Sequence, residues 1–219
     1  MNLFKETNFL LRKEFTLEWR QKYAISGILL YVLSTVFIVY ISFIKVAPPI
    51  WNVLFWIIVL FASVNAIAKS FVQESGKRQL YYYQLANPTA ILLSKIIYNS
   101  LLLLFLSSLA FAAFGFVAGN PVKDSGQFFG VLLLGSLGFS ITFTFISAIA
   151  AKANNSSTLM VILGFPLIIP ILMTLVKISA NALRLIQDTG VSKDAMILVA
   201  IDLILGALAL VLFPFLWRD

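Results

Sequence analysis

No cysteine and no histidine occurs in the 219 residues, and only nine side chains are acidic. Without Cys or His the chain has no disulfide, no thiolate nucleophile and no imidazole base. Structural zinc, iron–sulfur clusters and haem held by an imidazole or thiolate of this chain are excluded with them. Charge of either sign is scarce: 11% of residues are charged and 61% are hydrophobic, against about 25% and 45–50% in soluble domains. That balance excludes an ordinary soluble domain, and the high hydrophobicity excludes a disordered chain. No GxxxxGK[ST] loop, no HExxH and no carboxylate pair suited to acid–base work is present, so the chain is expected to be non-catalytic and to leave ATP to another subunit.

Long apolar runs and phenylalanine, 20 residues of it, fill the space left by charge. A helix needs about 20 apolar residues to cross about 30 Å of hydrocarbon. Six runs meet that length, over about 24–44, 50–68, 90–118, 128–151, 157–176 and 195–216. Backbone in lipid must satisfy its own hydrogen bonds, so each run is expected to be a helix. The fold class is therefore an all-α membrane protein with six transmembrane helices and a single permease domain over 1–219. Pro48-Pro49 is read as closing the first hairpin, and Gly119-Asn120-Pro121 with Asp124-Ser125-Gly126 as the turn between the third and fourth runs.

Six spans put both termini on one side. That side collects Lys5, Arg12, Lys13, Arg20, Lys22, Lys69, Lys77, Arg78, Lys95, Lys152 and Arg218, leaving Lys45, Lys123, Lys177, Arg184 and Lys193 on the other. The excess places both termini in the cytoplasm. The net charge of +7 is accounted for by topology, and no nucleic-acid partner is expected. Lys95, near one end of its run, is expected to snorkel to the headgroups.

Residues 1–22 do not read as a cleavable signal, because Glu6, Glu14 and Glu18 interrupt the basic character and the next apolar run is too long. At about 100° per residue, Leu3, Phe4, Leu10, Leu11, Phe15, Leu17 and Trp19 share one arc, with Lys5, Arg12, Lys13 and Arg20 opposite. Glu14 and Glu18 intrude on the apolar arc. An amphipathic helix lying in the membrane interface is expected.

Four features carry the functional expectations. The loop from Lys69 to Thr89, KSFVQESGKRQLYYYQLANPT, has Gly76 for a turn and Tyr81–Tyr83 at headgroup level. It reads equally as a connector or as a short docking helix. Pro166 and Pro170, four residues apart, remove two ladder bonds and predict a kink or a broken helix, either a packing bend or a cavity lining. Ser136, Ser140, Thr144 and Ala148 form a small-residue stripe beside Gly135 and Gly138, suited to close helix packing. Asp202, Asn65 and Asn99 are polar within spans. The two asparagines are expected to bond between helices. Asp202, about 10 Å of rise from Ala195, either reaches the outer interface or contacts a substrate or subunit.

Taken with the short loops, the stretches Glu74-Ser75-Gly76 through Leu80, Leu85, Pro88 and Leu92-Leu93-Ser94-Lys95, and Pro166-Leu167-Ile168-Ile169-Pro170-Ile171-Leu172, give the chain a resemblance. It resembles, over nearly its whole length, the CcmB-type membrane subunit of the haem-exporter ABC transporter in cytochrome c maturation, within the broader ABC-2-type permeases. Relative to that family the stretch before Gly76 is less acidic, with only Glu74, and Lys77-Arg78 follows. The resemblance implies a bacterial inner-membrane protein that works with a CcmA-like ATPase, a CcmC-like haem-handling protein, a small CcmD-like protein and the CcmE-like haem chaperone. It implies that ATP sits on the partner, that the complex handles haem, and that this chain binds no cofactor of its own. Glu74, Ser75, Gly76, Lys77, Arg78, Gln79 and Leu80 are then the ATPase-coupling loop. Two alternatives stand beside it: a non-transporting scaffold for the other subunits, and an ABC-2-type exporter of another substrate.

Overall fold

A computed structural model describes residues 3–20, 22–43, 45–68, 70–71, 86–152, 156–186 and 190–218. Among them lie helices α1 (Leu3–Arg20), α2 (Lys22–Ser42), α3 (Pro48–Ile67), α4 (Pro88–Ala118), α5 (Ser125–Ala150), α6 (Ser156–Ala182) and α7 (Val191–Arg218). Helices α3 to α7 are long and apolar enough to cross a membrane, and α2 carries a shorter apolar stretch, Ser26–Ser42. The 21 residues of α2 rise about 31 Å, which matches the thickness of a bilayer core. The protein is thus an all-α membrane protein built from hairpins of spanning helices.

The helix starts follow from local chemistry. Pro48 and Pro49 do not close the hairpin but open α3, where a missing N–H costs nothing. Asn87 caps α4 by accepting from the Thr89 N–H at 3.1 Å, with Pro88 next. Asp124 caps α5, its Oδ1 accepting from Gln127 N at 3.0 Å. Between them Gly119 takes a φ of +82°, a conformation that only glycine adopts freely. The N–H groups of Lys123 and Asp124 donate to Ala182 O at 3.1 and 3.0 Å, fastening this turn to the end of α6. Asp124→Ala is expected to lower stability by about 1 kcal/mol, the usual cost of losing an N-cap, read as a fall in the thermal midpoint of the purified protein.

Helix α5 is the centre of the bundle, with α3, α4, α6 and α7 packed round it. Its stripe Ser136, Ser140, Thr144 and Ala148 is buried. Two separate cores sit at the two ends. At one end Trp51 stacks on Phe55 and Phe114, with centroids 5.4 and 5.1 Å away, and Phe128 joins them. At the other end Leu10 of α1 shares a cluster with Phe71, Ala90, Leu92, Phe145 and Phe213. The first and last helices therefore meet at one end of the bundle.

Helix α6 continues six residues beyond the expected stop at Val176. Polar residues made that stretch look like a loop, but their side chains are satisfied inside the fold. Ser179 Oγ accepts from Trp56 Nε1 at 2.8 Å and lies 2.7 Å from Asn52 Oδ1, while Asn52 Nδ2 donates to Val176 O at 2.8 Å. Lys177 pairs with Asp194 of α7 at 2.8 Å. The helix also runs unbroken through Pro166 and Pro170. Both prolines lie on its exposed side, where they cannot donate to the carbonyls of Ile162 and Pro166. Thr174 Oγ1 donates back to Pro170 O at 2.8 Å.

Candidate functional site

The polar side chains converge where α3 ends and α4 begins. Lys95, on the second turn of α4, is only 2% exposed. It does not snorkel, as its place near the end of an apolar run predicted. Its ammonium donates to Ser70 O at 2.8 Å, lies 3.4 Å from Glu14 Oε1 of α1, and sits 5.0 Å from the centre of the Phe71 ring. A buried ammonium is costly unless paired and hydrogen-bonded; here a carboxylate, a carbonyl and a π face surround it. Glu14 also receives Lys13 at 3.3 Å.

Asn99, one turn further along α4, donates to Thr144 Oγ1 of α5 at 2.8 Å and reaches towards Ser70 Oγ at 3.5 Å. Ser147 of α5 donates to Ala68 O at 3.2 Å and accepts from Phe71 N at 3.4 Å. Ser140 donates to Ile96 O at 2.9 Å. The chain leaving α3 at 68–71 is thereby held by α1, α4 and α5 together, and Phe71 also meets Phe213 of α7 at 5.4 Å. The chain re-entering at Asn87 is held as well: its N–H donates to Glu6 Oε1 of α1 at 2.5 Å. A carboxylate at a helix N-terminus is also favoured by the helix dipole. The stretch between these two anchored points contains Glu74, Ser75, Gly76, Lys77, Arg78, Gln79, Leu80 and Tyr81–Tyr83, all of which lie outside the described residues.

The other expected site residues are scattered. Asn65 bonds within its own helix, Nδ2 donating to Phe61 O at 3.0 Å, and is exposed, so it joins no second helix. Asp202 faces inward rather than towards the outer surface. Helix α7 begins at Val191, four residues before the expected start, which sets Asp202 about 16 Å along it. The carboxyl is 7% exposed and lies against α5 at Gly138, and its Oδ1 has no hydrogen-bond partner among the described residues. A cleft of about 110 Å³ opens between α3 and α6 over Phe143, walled by Leu60, Val64, Gly164, Phe165 and Ile168. It is apolar, and neither Pro166 nor Pro170 lines it.

Sequence reasoning passed over Glu6, Glu14, Lys95, Ser70 and Ser147. One signal was available: carboxylates spaced eight apart on an otherwise apolar arc need partners, and Lys95 is a cation inside an apolar run.

A bundle of spanning hairpins around a polar-bonded central helix, with an anchored connector at the end that carries the first and last helices, defines a multi-pass membrane permease subunit. Within that class the chain belongs to the CcmB protein family, whose family model matches residues 5–217. It is a membrane subunit of the haem-export, cytochrome c maturation type of ABC system. The comparison with curated proteins finds no match.

Proposed function

We propose that the chain is the membrane half that converts closure of a CcmA-like ATPase into movement of its spans, in a bacterial inner membrane with both termini cytoplasmic. ATP is bound and hydrolysed on that partner. Haem is handled by the complex, together with CcmC-like, CcmD-like and CcmE-like proteins, and this chain holds no cofactor of its own. The whole of 1–219 acts as one permease domain. Helix α1 lies in the cytoplasmic interface, where the exposed Phe4 and Phe15 meet lipid and Lys5 and Arg12 meet headgroups.

The observation that carries this reading is the double anchorage of the 72–85 connector. A load applied to that segment passes directly to α1, α4 and α5 through Lys95, Asn99, Ser147 and Glu6. Within it, Gly76 is the turn, and Glu74, Lys77, Arg78 and Leu80 are the docking side chains. Gly76→Trp is the test. The ATPase recovered with the purified subunit and the cellular c-type cytochrome should each fall about tenfold or more, the effect of about 1.4 kcal/mol at a contact. Parental levels of both overturn the assignment.

A second reading, a scaffold that gathers the ATPase and haem-handling subunits without conducting haem, is favoured by the filled interior. Trp51, Phe55, Phe114 and Phe128 are fully buried at the end away from the connector. A haem path through this subunit then has to run along its outer faces, against another membrane subunit.

A further inference from the structure

Helix α1 carries three distinct faces. Glu6, Thr7 and Leu10 are buried against the bundle, and Glu14 reaches Lys95 from the same side. Phe4 and Phe9 remain 79% and 69% exposed. Lys5 and Arg12 are exposed as well. A helix that merely docks would use leucine across its buried face, since burying a carboxylate costs free energy unless it is bound. Two carboxylates occupy that face instead, about 12 Å apart along the axis.

Both carboxylates go to the same connector, at opposite ends. Glu14 meets Lys95, which holds Ser70 O where the chain leaves α3. Glu6 takes the Asn87 N–H where the chain joins α4. Leu10, halfway between them on α1, shares an apolar cluster with Phe71 on one side and Ala90 and Ile91 on the other.

We infer that α1 is a strut for the connector, with Glu6 and Glu14 as its two attachment points and Lys95 as the link at the first of them. All three are positioning residues. The inference rests on the reading of 72–85 as the ATPase-coupling segment, and it adds that the strut sets where both ends of that segment stand relative to the membrane surface. Charge-assisted hydrogen bonds suit this role because they fix position as well as adding attraction. Motion of the segment then moves α1 and α4 together rather than bending the chain at 70 or 87.

The test uses the whole complex purified from membranes. Glu6→Ala removes one attachment. The pair Glu14→Gln with Lys95→Met removes the other without stranding a buried charge. Each should lower ATP hydrolysis by the complex and the yield of c-type cytochrome about tenfold, while subunit abundance and melting temperature stay near the parent's. Glu6→Gln, which keeps an acceptor oxygen for the Asn87 N–H, should restore activity. Parental hydrolysis and cytochrome in both Glu6→Ala and the pair overturn the strut. So does a loss that simply tracks a matching fall in melting temperature, because that is a packing role. Gly76→Trp separates the two levels. If it uncouples the ATPase while the strut variants do not, the strut alone falls. If it too is silent, the coupling reading falls and takes the strut with it.

Discussion

Trp51→Ala is expected to destabilise the protein by about 3 kcal/mol, the low end of the range for deleting a large buried aromatic. The indole is fully buried, stacked on Phe55 and Phe114 and edge-on to Phe111 at 6.2 Å. In water such a deletion loses a transfer term and leaves a cavity. Between spanning helices the transfer term shrinks, because lipid tails are as apolar as the core. What remains is the void and the lost dispersion contacts of rings that have no other neighbour at that distance. Trp51 joins α3 to α4 and α5, so the loss is spread over three helices. Phe116, by contrast, is 92% exposed, and Phe116→Ala should change stability by less than about 0.5 kcal/mol. Thermal unfolding of the two variants in the same detergent checks the pair. Equal midpoints would mean that the aromatic cluster is not what holds this end of the bundle together.

The spans were legible in the sequence because one quantity, apolar run length, decides them, and lipid leaves the backbone no alternative to helix. The stop of α6 was not legible. Lys177, Ser179 and Asn181 look like loop residues until Asn52 and Trp56, more than a hundred positions away, supply their environment. Asn65 and Asn99 show the same limit from another side. They are the same residue type at similar depths in apolar runs, yet one faces outward and bonds to its own helix while the other bridges to Thr144. The difference is a rotation about the helix axis, and α3 and α4 are too uniformly apolar for periodicity to report it. Lys95 was misread for a related reason. A lysine near the end of a run has two outcomes, water or a buried anion, and its anion lies 81 residues earlier. The acidic residues of α1 held that answer. What spoiled the apolar arc for a purely lipid-facing helix is what ties the helix to the connector.

Gly138 and Asp202 allow the sharpest test of the packing around α5. A Cβ at Gly138 would lie 2.5 Å from Asp202 Oδ1 and 3.3 Å from its Cγ and Oδ2. The aspartate is short and 7% exposed, so it has little room to turn away. The Gly138 carbonyl already accepts from Thr142 Oγ1 at 2.7 Å. Gly138→Ala should therefore cost about 1–3 kcal/mol, the usual penalty for overpacking. Asp202→Ala alone should be far milder, since removing a buried group that lacks a hydrogen bond relieves a cost as well as leaving a small void. In the double variant the new methyl group enters the space the carboxyl vacates. Most of the loss from Gly138→Ala should then be recovered, giving an interaction energy of about 1–2 kcal/mol opposite in sign to that loss, within the range for residues in direct contact. Thermal midpoints of the parent, both single variants and the double variant close the cycle. If the two effects simply add, then α5 and α7 are not held apart by this carboxyl, and the absence of a side chain at 138 needs another cause.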